Sequence, residues 1–522
     1  MKNLVQVVLS FLSSPLLPAT NPVQNVEVVL PFKSIAVVGA GTAGLAALKT
    51  LLDLPEHIRK DWEIVLFEQR SNVGGLWLPD PHDAHPPDLP ETPLYPLLHT
   101  NIPVPTMTPP GFPFPPNTAL FPSHDRVEQY HQDYAQHFNL YPYIRLNHTV
   151  ASSSWIGDST AGHWDVVVRN HEQEELRKSF DHLIVANGHF HYPHVPHFNG
   201  QEDWLAGSPS TSQSREILHA LWYRLPSRYV NQTVLVIGSG PSSQDLASQI
   251  APFAKTTYHS VRGKFAPANG KVVTVPEVSH FTSDAVVFVD GSTVTDIDSV
   301  LLGTGYDIRI PFLEASGELS VLPNAHSNET YLQGLVTNMR YIFPLHEHIF
   351  SLSPSYPTSA LAFIGQPVMG YNFPSDTVQG TLVAHVLANS SLLPPREDML
   401  RQLAVREENM RLAGFDPYYV GHRMIYQDTF DYQDSLMEYL KQQGAIPQDG
   451  KKYVEKWRRE AKNDQCMKRG WKRIEQLGIE EVWLQGVESE EDWVELMVRV
   501  NEWQHSWEAQ NHLTYPIEPF FS

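Results

Sequence analysis

"VLVIGSGPSSQDLA", Val234 to Ala247, reads as a buried strand, a tight glycine turn and the opening of a helix. The same design stands earlier as "IAVVGAGTAGLAAL", Ile35 to Leu48. In both, an apolar run without polar alternation predicts a strand covered on both faces, as in a parallel sheet. In the first copy Gly39 makes the tight turn, Gly41 lets backbone approach a pyrophosphate, and Gly44 lets helix and strand pack closely. The helix start then offers free N–H groups and a positive dipole end to the phosphates. Two such copies predict an α/β chain with two Rossmann-like dinucleotide-binding domains built on doubly wound parallel sheets.

The residues around each copy say which nucleotide it takes. After the first comes a strand, "EIVLFEQR", ending in Glu68 and Arg70. An acid at that strand end accepts hydrogen bonds from ribose hydroxyls and repels a 2′-phosphate, so the site suits FAD or NAD rather than NADP. "GGLW", Gly74 to Trp77, follows directly and brings backbone close to a flavin dinucleotide through Gly75, Leu76 and Trp77. With the turn residues Ala40 and Thr42, these predict FAD. The second copy runs Gly238, Ser239, Gly240, Pro241, Ser242 and Ser243, with serine at the third glycine position. Its following strand, "TTYHSVRG", ends in Arg262, whose charge and forked donors suit a 2′-phosphate. That predicts NADPH. "LLGTGYD" reads as a strand end passing close to a cofactor at Thr304 and Gly305. Two nucleotide folds in one chain let NADPH deliver a hydride to a bound flavin, so a flavin-dependent oxidoreductase is expected.

Bulk properties narrow the electron acceptor. The 522 residues carry a formal net charge of −21, which disfavours nucleic acid and anionic membranes. One cysteine, Cys466, excludes an internal disulfide and a cysteine-pair redox centre. A disulfide reductase is therefore excluded, and oxygen leads as acceptor. The 25 histidines are scattered; "HEH" (346–348) and "HFHYPH" (189–194) lack the spacing of a helical zinc motif, and no metal is expected. No Ser-His-Asp or paired-carboxylate constellation stands out. The first twenty residues have a weak signal-peptide shape. A cytoplasmic location is expected, with an endoplasmic-reticulum or secretory one left open by that segment.

At this point the chain resembles the flavin-containing monooxygenases, the fungal type especially. The resemblance rests on an ordered set from about Lys33 to Leu393: "GAGTAG", "GGLW", "LHTNIP", "FPSHDRVEQYHQDYAQHF", "VANGHFHYPHVP", "LHALWYR", "VIGSGPSS", "LLGTGYD" and "LAFIGQP". It implies that NADPH reduces FAD, that O₂ adds to give a C4a-(hydro)peroxyflavin guarded by NADP⁺, and that oxygen passes to a nitrogen or sulfur of a small molecule. It implies a catalytic role for Asn101 of "LHTNIP", with His99 and Thr100 beside it at the cofactor. Val150 matches a position near the adenine, and Gln379 of "FPSDTVQG" a glutamine near the cofactors. The family's FxGxxxHxxx(Y/F) element is half kept: His219 and Tyr223 are present, but Gln213 and Arg215 replace Phe and Gly. A structural role for His219 between the domains is the leading reading.

The domains expected are an extension over 1–31, an FAD domain over 32–199, an inserted NADPH domain over 200–308, and the rest of the FAD domain with a helical C-terminal region over 309–522. "HTNIPVPTMTPPGFPFPPNTALFPS" is expected to be an ordered active-site segment rather than a disordered one. Trp493, Leu496, Met497 and Val500 repeat at helical spacing, which predicts a core stripe. The tail "YPIEPFFS" lacks the hydrophobic anchor of animal members, so no membrane insertion is expected there. Two alternatives stay open. Baeyer–Villiger oxygenation is opposed by Tyr223-Arg224 where Trp-Pro would stand. An uncoupled NADPH oxidase or redox sensor is kept open by the altered FxG element and Ser243. The oligomeric state is not legible, a homo-oligomer included.

Overall fold

The computed structural model describes residues 32–513, except 83, 208–213, 264–271, 327–333, 369–371, 425–427 and 462–464. Gln213, the first twenty residues and the 515–522 tail lie outside them.

The chain opens with β1 (Lys33–Val38), α1 (Thr42–Asp53) and β2 (Trp62–Phe67). β1 is buried on both faces, as its unbroken apolar run requires. Helix α2 (His124–His137) and the short strand β3 (Ile144–Arg145) follow. An antiparallel unit comes next: β4 (His148–Gly157), β5 (Gly162–Asn170) and β6 (Glu175–Phe180). β7 (His182–Val185) then returns beside β1 in parallel register, Ile35 opposite His182.

Strand β8 (Tyr192–Pro193) leads out of this layer. The second sheet is built from β9 (Glu216–His219), β10 (Thr233–Ile237), β11 (Thr256–Ser260), β12 (Val272–Val275) and β13 (Ser299–Leu302), with α3 (Pro241–Ile250) after β10. Its order is β12-β11-β10-β13-β9, parallel throughout. The chain leaves by β14 (Tyr306–Asp307), which pairs antiparallel with β8, Tyr306 opposite Pro193. The two crossings between the sheets are therefore one two-stranded ribbon.

The first sheet is completed only late, by β15 (Leu361–Phe363), parallel to β7. Its order is Leu345–His346, Phe350–Ser351, β15, β7, β1, β2, β3. The first domain is thus discontinuous, with the second inserted into it. Helix α4 (Asn372–Ala388) crosses α1 closely: a Cβ on Gly380 would stand 2.5 Å from Thr50 Oγ1.

The C-terminal region is helical: α5 (Arg396–Leu412), α6 (Asp428–Gln442), α7 (Gln465–Leu477) and α8 (Glu490–Gln510). Trp493, Leu496, Met497 and Val500 are buried in the core that also holds α1 and α4, as their spacing predicts. A full capping box starts α8, with Ser489 and Asp492 exchanging backbone bonds. Residues of this region hold the proline-rich segment in place. Arg458 Nη1 donates to Pro105 O at 2.6 Å, Trp493 Nε1 to Thr118 O at 3.2 Å, and Asn117 N to Val487 O at 3.1 Å. Among the described residues, no helix is long and apolar enough to cross a membrane.

Candidate active site

The first cradle lies where β1 meets α1, at the point where strand order reverses. Gly39 has φ +103°, and a Cβ there would meet Ala186 O at 2.5 Å. A Cβ on Gly44 would fall 1.7 Å from Gly39 O, so helix and turn touch only because no side chain intervenes. A Cβ on Gly75 would stand 2.8 Å from Gly41 Cα, so the two glycine motifs meet backbone to backbone. Gly74 N donates to Ala40 O at 3.0 Å and locks that contact. No side chain caps α1 at Gly41, which leaves its first N–H groups for an anion.

Glu68 is 5% exposed at the end of β2. Its Oε2 accepts from Ala40 N at 2.6 Å and its Oε1 from Arg70 N at 2.8 Å. Burial pushes its carboxyl up, opposed by those two N–H groups and by the Arg70 charge. Each oxygen keeps a lone pair for a ribose hydroxyl. His148 N donates to Glu68 O at 2.8 Å, which starts β4 beside the acid and places buried Val150 two residues further on.

Some expected contacts change character. Arg70 clasps the GGLW turn: its guanidinium donates to Gly75 O, Leu78 O and Pro79 O at 3.0, 2.7 and 2.6 Å, and pairs with Glu91. Its side chain supports the half-buried Leu76 and Trp77 rather than reaching for a ligand. The Thr42 hydroxyl lies 2.8 Å from His131 Nε2. His131 is buried to about pKa 4, with Nδ1 2.7 Å from Val127 O; Nδ1 carries the proton, so Thr42 donates to Nε2. Only the Thr42 N–H remains for a phosphate. Gln379 is fully buried, with Oε1 accepting from Gly365 N at 3.0 Å, and so shapes the Gly365 turn from behind.

The second cradle repeats the first with one exchange. Ser243 is fully buried, and its hydroxyl donates to Gly240 O at 2.8 Å. Its Cβ has room because Gly303 faces it: a Cβ on Gly303 would stand 2.6 Å from Ser243 Cβ. The third glycine has moved across the cleft. Gly240 caps α3 without a side-chain bond, and Ser239, Pro241 and Ser242 are exposed at that end. Arg262 follows β11 and donates to Glu277 Oε1 and Tyr419 Oη at 3.1 Å each. The Tyr419 hydroxyl, with the nearby acid, holds the guanidinium above its ordinary range.

Between the cradles runs a strap, 95–103. The Tyr95 hydroxyl donates to Asp245 of α3, and Gln249 of α3 donates to Leu97 O at 3.3 Å. On the other side His99 bridges Ser123, and Thr100 N donates to Pro122 O at 2.9 Å. Thr100 is buried, and its hydroxyl donates to Ile102 O at 2.9 Å. Asn101 at the bend is exposed, its amide bonded to no described residue. The strap thus ties Asn101 to both nucleotide modules. The sequence carries no local sign of the Tyr95–Asp245 link or of the Gly303 exchange, because both join distant segments.

Two residues near the ribbon have structural tasks. His219 Nε2 donates to Gly305 O at 2.9 Å and Nδ1 accepts from Leu221 N at 3.1 Å; burial lowers it to about pKa 4. It joins the second sheet to the returning strand. Thr304 Oγ1 donates to His194 O at 2.5 Å across the same ribbon. Arg215, standing where the family has glycine, is buried and donates to Trp204 O and Ser283 O at 2.9 and 2.6 Å.

Two glycine cradles, an acid at one and an arginine at the other, and a strap between them define a two-dinucleotide flavoprotein. The sequence profile described as "Flavin-binding monooxygenase-like" matches residues 32–265 and 267–448, and the chain belongs to that family. It is 28% identical over 460 residues to flavin-containing monooxygenase FMO GS-OX3 of Arabidopsis thaliana, covering 84% of this chain and 88% of that one. The fold matches S-allyl-L-cysteine S-oxygenase from Allium sativum with a TM-score of 0.68 at 23% identity, over 90% of this chain and 98% of that one. It also matches Tmm from Pelagibacter sp. strain HTCC7211 with a TM-score of 0.62 at 19% identity, over 86% and 92%. The chain is an FAD-dependent monooxygenase that uses NADPH, O₂ and a small-molecule substrate. The cradles fit these cofactors: side chains are missing where phosphate must approach, and helix ends are left uncapped.

Proposed function

We propose that the chain is an NADPH-dependent oxygenase of a soft nucleophile, a thioether sulfur first and a tertiary amine second. The observation that carries this is the strap: Asn101, exposed and with its amide bonded to no described residue, is held between the two cradles by bonds to α3 on one side and to Pro122 and Ser123 on the other. The likeness to the Allium sativum S-oxygenase supports sulfur.

When bound, FAD supplies hydride acceptance from NADPH and activation of O₂. The balance is NADPH, a proton, O₂ and sulfide giving NADP⁺, water and sulfoxide. The protein's part is positional. The α1 and α3 N-termini bind the diphosphates, and Glu68 takes an adenosine ribose. Arg262 takes the 2′-phosphate, with Glu277 beside it moderating the attraction. The Asn101 amide donates and accepts at once, so it would suit a hydrogen bond to the polar edge of each cofactor. A substrate whose lone pair attacks oxygen directly asks no acid–base triad of the protein. Water exclusion is then the main requirement, and we assign it to the proline-rich segment that Arg458 and Trp493 hold in place.

Stopped-flow absorbance tests this. Protein reduced with NADPH is mixed with oxygenated buffer, with and without a thioether. A transient species distinct from reduced and oxidised flavin, prolonged by NADP⁺ and discharged by the thioether with stoichiometric sulfoxide, is expected. Direct reoxidation with hydrogen peroxide release would overturn the reading.

A further inference from the structure

Asp376 is a buried carboxyl without a hydrogen-bond partner among the described residues. It stands in the second turn of α4 and is 4% exposed. Among the described residues no hydrogen bond or ion pair reaches it. Burial holds its carboxyl well above the usual carboxylate range. Two of the polar side chains near it are engaged elsewhere. Gln379 serves Gly365 N and Ser375, and the Tyr432 hydroxyl donates to Glu347 O at 2.7 Å. An unpartnered buried polar group costs free energy and calls for an explanation.

Its position supplies one. A Cβ on Gly365 would stand 3.6 and 3.8 Å from the two Asp376 oxygens and 2.9 Å from Ala43 Cβ. Asp376 therefore sits where the Gly365 turn meets the first turn of α1, inside the flavin cradle. The order of the sheet says which part of FAD lies there. Glu68 ends β2 on one side of β1, and Gly365 follows β15, two strands from β1 on the other side. That separation is about 10 Å at the usual strand spacing. With adenosine at Glu68 and diphosphate at the α1 N-terminus, the chain of FAD continuing toward Gly365 is the ribityl polyol.

We propose that Asp376 positions the riboflavin half of FAD through a hydrogen bond between its carboxyl and a ribityl hydroxyl. A carboxyl at this place can bond a hydroxyl in either protonation state, accepting through an oxygen or donating its O–H. The assignment concerns cofactor holding and is independent of which atom of the substrate is oxygenated.

The test compares FAD with ADP on apoprotein of wild type, Asp376→Leu and Asp376→Asn. Flavin fluorescence quenching reads FAD, and calorimetry reads ADP. Leucine keeps the branched heavy-atom skeleton and removes the hydrogen bond, so FAD should weaken roughly 10- to 100-fold while ADP changes less than about twofold. Asparagine keeps a donor and an acceptor and should stay within about fivefold of wild type. FAD affinity unchanged in Asp376→Leu, or equal losses for FAD and ADP in a folded variant, would overturn the proposal. If Asp376→Leu fails to fold, wild-type apoprotein decides with FAD analogues lacking the 2′-, 3′- or 4′-ribityl hydroxyl in turn. One of the three should bind about tenfold more weakly; three losses under twofold would reject the hydrogen bond.

Discussion

Ser243 and Gly303 share one volume across the second cleft, and the pair behaves as a unit. Gly303→Ala would drive a methyl to 2.6 Å from Ser243 Cβ. We expect it to destabilise the protein by about 1–3 kcal/mol and to raise KM for NADPH. In the Ser243→Gly background the same change should cost much less. Urea midpoints around that double-mutant cycle read the coupling. Arg262 carries the second residue-scale prediction. Arg262→Ala should raise KM for NADPH roughly tenfold and leave NADH nearly unchanged, since only the 2′-phosphate loses a charge-assisted bond. An unchanged NADPH/NADH ratio would remove the 2′-phosphate assignment.

At the scale of elements, the strap between Tyr95 and Pro103 connects α3 to the segment before α2. Its anchor is a hydrogen bond from the Tyr95 hydroxyl to Asp245, with the Tyr95 ring edge-on to Tyr223 at 5.2 Å. Tyr95→Phe keeps the ring packing and removes the bond. It should cost about 1–2 kcal/mol. More tellingly, it should raise the hydrogen peroxide formed per NADPH, because Asn101 is then held from one side only. Peroxide measured against sulfoxide at fixed NADPH consumption checks this. Helix α1 shows the other face of element-scale design. It is wedged between sheet and α4, so its length and start were legible from Gly-rich spacing and apolar content. The proline-rich segment was legible as ordered only in outline: Arg458 and Trp493, which hold it, lie more than 300 residues further along the chain.

For the whole molecule, buried histidines set a pH dependence. His131 and His219 are each 2% exposed, and burial lowers both to about 4. Unfolded, each titrates near 6.5. Below that pH the unfolded chain binds more protons than the folded one, so stability rises with pH there. The contribution is fully present above about 6.5 and is lost as pH falls toward 4. Between pH 7 and 5 each histidine should remove on the order of 1–2 kcal/mol. Urea midpoints across that range should fall, and His219→Gln should flatten the slope.

The sequence by itself determined the two nucleotide modules, their parallel sheets, the insertion of one into the other and the nature of both cofactors. Those features rest on short-range physics: apolar runs, turns that tolerate only glycine, and a charged residue at a strand end. Tertiary structure alone decided the rest. It turned Arg70 and Gln379 toward neighbouring turns and Thr42 toward His131 of α2, placed Gly303 opposite Ser243, tied Tyr95 to Asp245 and left Asp376 at the Gly365 turn with no partner among the described residues. Apart from the local Arg70 clasp, these join residues whose separation along the chain exceeds any periodicity. Packing and hydrogen-bond satisfaction, not local propensity, choose among such contacts.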